Sequence, residues 1–168
     1  MRFFLFLLLL PLATATTCDD SQHSGLGWIQ DTSIEISIWS QKWTDITASV
    51  DGTKLAATNE KPGNIWTSSD SGATWTEDIS VGSTKSWQGI ASSSDGTKLV
   101  ATEWDGIWVS SNSGATWTEA LDDNAGGWRG ITMSTDGTKI TAGSYYGKIA
   151  TFDDSGGSWT VSSAHSDI

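Results

Sequence analysis

The chain has 168 residues, with 20 Asp and Glu against 9 Lys and Arg, and its formal net charge at neutral pH is −11. This acidity argues against binding of nucleic acid or of anionic membrane surfaces, because both depend on clustered Lys and Arg. The single cysteine, Cys18, excludes an internal disulfide, so stability has to come from the packing of secondary structure.

The first 15 residues predict a secretory signal peptide. Arg2 is followed by an apolar run over residues 3–12 and then by Ala13-Thr14-Ala15, which offers a small-residue cleavage site. The apolar run is shorter than the about 20 residues that a membrane-spanning helix needs. We therefore expect cleavage after Ala15, secretion of the protein, and no membrane span in the mature chain.

Residues 16–42 form a predicted N-terminal segment ahead of the regular part of the chain. Within it, Ser33–Ser40 places Ile34, Ile36 and Ile38 at every second position, with polar residues between them. A period of two predicts a half-buried β-strand.

Three segments of similar sequence then begin at Trp43, Trp87 and Trp128. Each carries the tetrapeptide Asp-Gly-Thr-Lys eight residues after its Trp, and we call these the DGTK hairpins. Their dipeptides are Asp51-Gly52, Asp95-Gly96 and Asp136-Gly137. Asp-Gly between two strand-like stretches predicts a tight hairpin with a type I′ turn.

A second motif follows each hairpin, and we call its three copies the box segments. They read SSDSGATW at 68–75, SSNSGATW at 110–117 and FDDSGGSW at 152–159. They end at Trp75, Trp117 and Trp159, so both intervals are 42 residues. A fixed period of about 40–45 residues is typical of propeller blades.

Each repeat contains four candidate strands and no helical periodicity. In the middle repeat they are Trp87–Ser92, Thr97–Glu103, Gly106–Ser110 and Thr116–Leu121. Four short antiparallel strands match one blade of a β-propeller. We therefore predict an all-β fold with three four-stranded blades over residues 43–86, 87–127 and 128–168, the last including a tail, and a ring that one chain leaves incomplete.

The box segments closely resemble the Asp-box, or BNR, repeat S-x-D-x-G-x-T-W, and the likeness extends over residues 43 to 162. The matching units are blades of sialidase-like propellers and of the photosystem II stability/assembly factor family. The motif positions are Ser68, Asp70, Gly72, Trp75, Ser110, Asn112, Gly114, Trp117, Asp154, Gly156 and Trp159. Asn112 stands for the Asp, and the third copy has Phe152 for the Ser and Ser158 for the Thr. We expect a structural role, since Asp and Gly shape turns and Trp buries apolar area.

The resemblance does not bring an activity with it. A sialidase implies three arginines around the substrate carboxylate, a role that Lys fills poorly, yet Arg129 is the one Arg beyond the signal peptide. Sialidase activity is therefore excluded. His23 and His165 lie outside the repeats, so we expect no Ser-His-Asp site, no metal site and no cofactor. A glycoside hydrolase with paired carboxylates is the enzymatic alternative.

Recognition is the function that the repeats favour. The hairpins and box segments repeat almost unchanged at one predicted end of the blades, whereas the loops at the other end vary, and functional groups tend to lie on variable loops. The candidate binding residues are Glu60, Glu103, Trp104, Asp105, Arg129, Tyr145 and Tyr146. Their rings and carboxylates suit a glycan or a protein partner; the plainer alternative is that the rings only cover blade edges. The resemblance to photosystem II assembly factors implies a scaffold protein as the alternative function, with partner binding near Arg129.

Three blades fall short of a closed ring, because propellers usually have four to eight. Three explanations stay open at this level. The sequence is a fragment of a longer propeller, two copies pair into a six-bladed ring, or the blades stand as an open arc.

Overall fold

The computed structural model describes residues 42–60, 63–123, 126–154 and 157–163. The predicted signal peptide, the predicted strand at 33–40, Cys18, both histidines and Gly156 lie outside the described residues. All described residues belong to one compact unit, which begins at Ser33.

Twelve β-strands make up the described part of the chain, and they form three groups of four. The first group, blade 1, comprises β1 (Trp43–Ala48), β2 (Leu55–Asn59), β3 (Ile65–Ser68) and β4 (Thr76–Glu77). Blade 2 comprises β5 (Trp87–Ser92), β6 (Leu99–Glu103), β7 (Gly106–Ser110) and β8 (Thr118–Asp122). Blade 3 comprises β9 (Trp128–Met133), β10 (Lys139–Ser144), β11 (Lys148–Asp153) and β12 (Ser158–Ser163).

Within each blade, consecutive strands pair antiparallel in chain order, so that each sheet is a simple meander. The register repeats from blade to blade: Ala57 faces Trp66, Ala101 faces Trp108, and Ala142 faces Ala150. The predicted fold class is confirmed, since the described chain is all-β and its three sheets match propeller blades, with the ring not closed.

Two strands of blade 2 begin later than predicted. β6 begins at Leu99 and not at Thr97, and β8 begins at Thr118 and not at Thr116. Both threonines belong to turns, because their backbone N–H groups donate to Asp95 Oδ1 at 3.0 Å and to Asn112 Oδ1 at 2.9 Å. Threonine favours strands, but here the local side-chain acceptor decides its conformation.

The DGTK hairpins are wider than the predicted type I′ turns. Gly52 has a φ of 70°, but the Asp before it does not have a positive φ, which a type I′ turn requires. The Gly52 N–H donates to the Ser49 carbonyl at 2.9 Å, and the Ser49 N–H donates to the Lys54 carbonyl at 2.8 Å. Four residues therefore separate Ser49 from Lys54, and the other two hairpins repeat this pattern. The prediction of the turn type was wrong, although its glycine is needed for the positive φ.

The hydrophobic core lies between neighbouring blades. Between blades 1 and 2 it is formed by Ala56, Ile65, Trp87, Ile90, Leu99, Ala101 and Trp117. Between blades 2 and 3 it is formed by Val100, Ile107, Trp128, Ile140, Ala142 and Ala150. Blade 2 thus presents alternate residues of its strands to two different neighbours, as period-two side-chain alternation dictates.

The tryptophan that opens blade 1 is not buried as its counterparts are. Trp87 and Trp128 are fully buried, but Trp43, at the same position in blade 1, is 43% exposed. The reason is positional, because blades 1 and 2 cover the two buried rings, whereas no preceding blade covers Trp43 among the described residues.

Candidate functional site

The turns at one end of the blades are joined to each other by repeated hydrogen bonds. Here the N–H of Ser71 donates to the Thr53 carbonyl at 2.9 Å, and the N–H of Ser113 donates to the Thr97 carbonyl at 2.8 Å. These bonds connect each box segment to the DGTK hairpin of its own blade, and we call this end of the blades the hairpin end. The opposite end, with the β2–β3, β6–β7 and β10–β11 turns and the connections between blades, is called the connector end.

The carboxylates of the DGTK hairpins are held by their own turns. Hydrogen bonds from the Ser49 hydroxyl and then from Thr53 lower the pKa of Asp51 to about 2. Asp95 and Asp136 have pKa values lowered to about 2 by the corresponding bonds, first from Ser93 and Ser134. Groups that hold their charge this strongly are poor proton donors near neutral pH, so these residues serve the turns.

The first box segment is organised around Asp70. Its carboxylate accepts the Thr74 hydroxyl at 2.6 Å, the Thr74 N–H at 2.8 Å and the Ser68 hydroxyl at 2.8 Å. These bonds lower the pKa of Asp70 to about 2, with the Thr74 hydroxyl as the largest cause. Ser68 Oγ also accepts the N–H of Gly72, which has a φ of 89°.

The second box segment makes the same turn with an amide. Asn112 Oδ1 accepts the Ser110 hydroxyl at 2.9 Å and the Thr116 N–H at 2.9 Å, and its Nδ2 donates to Thr116 Oγ1. The direction of the last bond is reversed relative to the first segment. Asn at this position therefore satisfies the same partners without a charge.

The third box segment departs from the other two in its side chains. Phe152 replaces the serine, so the hydroxyl that bonds the turn in the other copies is missing, and Phe152 instead packs on Trp159 at 5.4 Å between ring centroids. Asp154 lies 3.8 Å from Lys98 Nζ of blade 2. Here the carboxylate contributes to the contact between blades.

At the connector end, four of the candidate binding residues come together. We call Trp104, Arg129, Tyr145 and Tyr146 the aromatic–arginine cluster. Tyr146 packs edge-on against Trp104 at 6.1 Å and against Tyr145 at 5.4 Å between ring centroids. The Arg129 guanidinium carbon lies 5.8 Å from the Trp104 ring and 5.1 Å from the Tyr145 ring. Both distances are within cation–π range.

Backbone hydrogen bonds fix this cluster across two blades. The Trp128 N–H donates to the Trp104 carbonyl at 3.4 Å, and the Tyr145 N–H donates to the Gly127 carbonyl at 2.9 Å. The buried Thr102 hydroxyl of blade 2 donates to the Arg129 carbonyl at 3.0 Å. The cluster is thus carried by the β6–β7 turn, the connection to β9 and the β10–β11 turn.

The cluster remains accessible and charged. Tyr145 is 67% exposed and Tyr146 is 59% exposed, and Arg129 is exposed as well. Among the described residues, Arg129 makes no ion pair with a carboxylate. Two nearby acidic residues are already paired with lysines, Glu103 with Lys85 at 3.2 Å and Asp123 with Lys148 at 2.8 Å.

The three acidic candidates, Glu60, Glu103 and Asp105, were expected to lie beside the aromatic rings. They are not part of the aromatic–arginine cluster. Glu103 is buried and bonded to Lys85, whose ammonium also lies 4.6 Å from the Trp108 ring centroid. Glu60 lies on blade 1, 3.8 Å from Lys42. Asp105 follows Trp104 in the same turn, and its N–H donates to Glu103 Oε2 at 3.3 Å. Glu103 therefore supports the turn and does not offer a free carboxylate.

Gly127 is a supporting residue that the sequence analysis missed. It has a φ of 56°, and a Cβ placed on it would lie 2.9 Å from the Tyr146 ring. Only glycine lets the connection pass directly under this ring. The signal in the sequence was the pair Gly126-Gly127 immediately before the Trp that opens blade 3.

The grooves between blades repeat the same residues. One of about 260 Å³ is lined by Lys54, Leu55 and Gly96, and one of about 250 Å³ by Lys98, Leu99 and Gly137. Since equivalent positions line both grooves, they follow from the stacking of blades and do not mark a particular ligand site.

Neither a metal site nor a membrane-spanning helix is found in the described part of the chain. No group of three or more His, Cys, Asp or Glu residues there is arranged to hold a metal ion. No helix in those described residues is long and apolar enough to cross a membrane.

Comparison with known proteins bears on the fold. No model of a known protein family matches the chain, and no curated protein matches it significantly. Solved structures do match. YCF48 bound to D1 peptide has a TM-score of 0.60 at 16% identity, over 72% of this chain and 40% of that chain. A nidogen/laminin complex has a TM-score of 0.59 at 19% identity, over 72% of this chain and 48% of that chain.

A third match is the GH74 enzyme of Niastella koreensis, with a TM-score of 0.54 at 21% identity, over 71% of this chain and 18% of that chain. The chain has a β-propeller fold. At these identities the matches establish the fold alone, and the chain spans less than half the length of each matched chain.

Proposed function

We propose that the chain is a secreted, non-catalytic propeller segment that binds an acidic stretch of a protein partner through the aromatic–arginine cluster. The observation that carries this proposal is the exposed Arg129 guanidinium, which lies within cation–π distance of both the Trp104 and the Tyr145 ring. Its planar fork of N–H groups can donate two parallel hydrogen bonds to one carboxylate.

The geometry favours a peptide carboxylate over a neutral sugar. A sugar ring stacks on an open aromatic face, but Arg129 already lies against Trp104 and Tyr145, and Tyr146 packs edge-on against both rings. The exposed tyrosine edges and hydroxyls suit the apolar and polar groups that flank an acidic side chain. Aromatic and Arg side chains also carry much of the binding energy at protein interfaces.

The structural neighbours are compatible with a protein partner. YCF48 is recorded with the D1 peptide, and nidogen with laminin. Those partners belong to those proteins, and an assembly-factor-like scaffold function for this chain rests on fold similarity and the cluster together.

The chemistry of the carboxylates supports the proposal that the chain is not an enzyme. Three of the four Asp residues with strongly lowered pKa values lie in DGTK hairpins, and the fourth lies in a box segment. Glu103 is buried against Lys85. A glycoside hydrolase needs one carboxyl group that keeps its proton near neutral pH, and the environments of these four Asp residues favour the charged form instead.

The test is binding of the purified protein to an array of peptides that contain Asp or Glu beside aromatic residues, run alongside a glycan array. Arg129→Gln should weaken peptide binding by about 30-fold or more, equivalent to about 2 kcal/mol, as for a central interface residue. Arg129→Lys should recover only a small part, because Lys lacks the planar fork.

The matched control is Lys42→Gln, which removes one exposed positive charge from blade 1 and should leave binding unchanged. Trp104→Ala combined with Tyr145→Ala should abolish the peptide signal. Peptide binding that survives this double substitution, or binding to neutral glycans that depends on the same residues, would overturn the proposal.

A further inference from the structure

The outer faces of blade 1 and blade 3 resemble the two surfaces that pack together where blade 1 meets blade 2. The face of blade 2 that packs on blade 1 presents Trp87, Ile90, Leu99, Ala101, Trp108 and Trp117. By strand register, the equivalent residues on blade 1 are Trp43, Ile46, Leu55, Ala57, Trp66 and Trp75. We call this face of blade 1 the leading face. It is uncovered, since Ile46 is 62% exposed whereas Ile90 is buried.

The outer face of blade 3 resembles the face of blade 1 that packs on blade 2. The face of blade 1 that packs on blade 2 includes Thr47, Ala56, Ile65 and Thr67. The equivalent residues on blade 3 are Thr132, Thr141, Ile149 and Thr151, and we call this face the trailing face. Three of the four residues are identical in type, and all four are exposed in blade 3.

At the hairpin end, a lysine of one blade covers a glycine of the next blade. This contact occurs twice and, among the described residues, has no partner at the outer faces of blades 1 and 3. The side chain of Lys54 covers Gly96 of blade 2, and that of Lys98 covers Gly137 of blade 3. Gly52 of blade 1 has no atom near its Cβ position. Lys139, the counterpart of Lys54 and Lys98, instead pairs with Asp153 of its own blade at 2.8 Å.

Backbone hydrogen bonds between consecutive blades follow the same pattern. The Val50 N–H donates to the Ser94 carbonyl at 2.8 Å, and the Ser94 N–H donates to the Thr135 carbonyl at 2.8 Å. Among the described residues, the Thr135 N–H has no acceptor of this kind. The carbonyl of Val50 lies at the equivalent position at the other end of the array.

We propose that two copies of this chain associate head to tail, with the leading face of each copy packed on the trailing face of the other. The occupant is a second copy because the chain itself carries both sides of this contact, which already match each other between blades 1 and 2. Each junction would repeat the contact between blades 1 and 2, with Lys139 over Gly52 and the Thr135 N–H bonded to the Val50 carbonyl. Two junctions close a six-bladed ring with twofold symmetry, within the usual range of blade numbers.

The experiment is the solution mass of the purified protein, by light scattering, for the natural chain and for two single variants. Ile46→Lys places a charge on the leading face, and Thr141→Glu places one on the trailing face. Both positions are exposed in the single chain, so each variant should keep its circular-dichroism spectrum. The natural chain should have twice the mass of one chain, and each variant alone should have the mass of one chain.

Mixing the two variants tests the head-to-tail geometry. A mixed pair has one unaltered junction and one junction in which Lys faces Glu, so the mixture should recover the mass of a pair. Ile79→Lys, on an isoleucine that is exposed outside both faces, is the control and should leave the mass unchanged.

A natural chain that stays single would overturn the proposal, whether the leading face is then covered by the chain's own N-terminal segment or by another protein. Species larger than a pair would contradict ring closure. Variants that both remain paired, or a mixture that stays single, would contradict the assigned faces.

Discussion

At the scale of single residues, four of the 20 acidic side chains are used to hold turns. Asp51, Asp70, Asp95 and Asp136 each accept hydrogen bonds from a Ser or Thr hydroxyl and from a backbone N–H. These bonds favour the charged form, so all four folded-state pKa values fall to about 2 from 3.8. For these four residues, the negative charge is therefore explained by the turns that they stabilise.

These lowered pKa values predict acid sensitivity. The unfolded chain binds protons on these carboxylates more readily than the folded chain does, so the contribution to stability is complete above pH 4 and is lost as the pH falls toward 2. Thermal unfolding followed by circular dichroism should show a falling midpoint over this window. A midpoint that does not change between pH 5 and pH 2.5 would contradict the assignment.

Asp70→Asn tests one of these groups by itself. Asn112 makes the equivalent turn in blade 2 without a charge, so the substitution should be almost neutral at pH 7 and should reduce the loss of stability in acid. The reciprocal variant, Asn112→Asp, should increase that loss. Equal acid sensitivity of both variants and the natural chain would show that the turn carboxylates are not responsible.

At the scale of elements, the three blades differ in their connections and turns more than in their strands. The strands of the three blades pair in the same register, but the connection to β9 contains Gly127, over which the Tyr146 ring lies. The aromatic–arginine cluster therefore lies in blades 2 and 3 and has no counterpart among the described residues of blade 1, where Glu60 lies at the β2–β3 turn. The order of strands alone does not create it.

Gly127→Ala is expected to disturb the cluster with little effect on the blades. The added methyl group would meet the Tyr146 ring at 2.9 Å. A positive φ at a residue other than glycine costs about 1–2 kcal/mol. Peptide binding should fall, while the strand signal in circular dichroism stays. The control is Gly157→Ala, which has a φ of 60° with no atom near its Cβ position; an equal loss of binding in both variants would point to general destabilisation.

At the scale of the whole molecule, stability resides between blades. The fully buried Trp128 packs among residues of blades 2 and 3, whereas Trp43 at the equivalent position of blade 1 is 43% exposed. Each blade is too thin to bury its own side chains, so blades depend on their neighbours as repeat units do in other arrays. Among the described residues, the leading face of blade 1 is where this dependence is unmet.

Trp128→Ala should therefore destabilise the protein by about 3–5 kcal/mol, as expected for removal of a large buried aromatic side chain. Urea unfolding measured by circular dichroism checks the value. Trp104→Ala is the comparison, because Trp104 is only half-buried, and it should lower the free energy of unfolding much less. A small effect of Trp128→Ala would show that blades 2 and 3 do not share a cooperative core.

The amino-acid sequence alone was enough to predict the fold class, the three repeats and the positions of the turns. The alternation within strands is a pattern of adjacent residues, and the period of 42 residues shows that one such unit is repeated. It also singled out Trp104, Tyr145 and Tyr146, which lie on variable loops, and Arg129, which follows the first Trp of a repeat, without showing that they meet. The three-dimensional packing of the blades was needed to show that Arg129 lies within cation–π distance of two rings, that Glu103 pairs with Lys85, and that Trp43 is exposed. Those three outcomes depend on which blade packs against which, and a contact between blades joins residues that no local pattern connects.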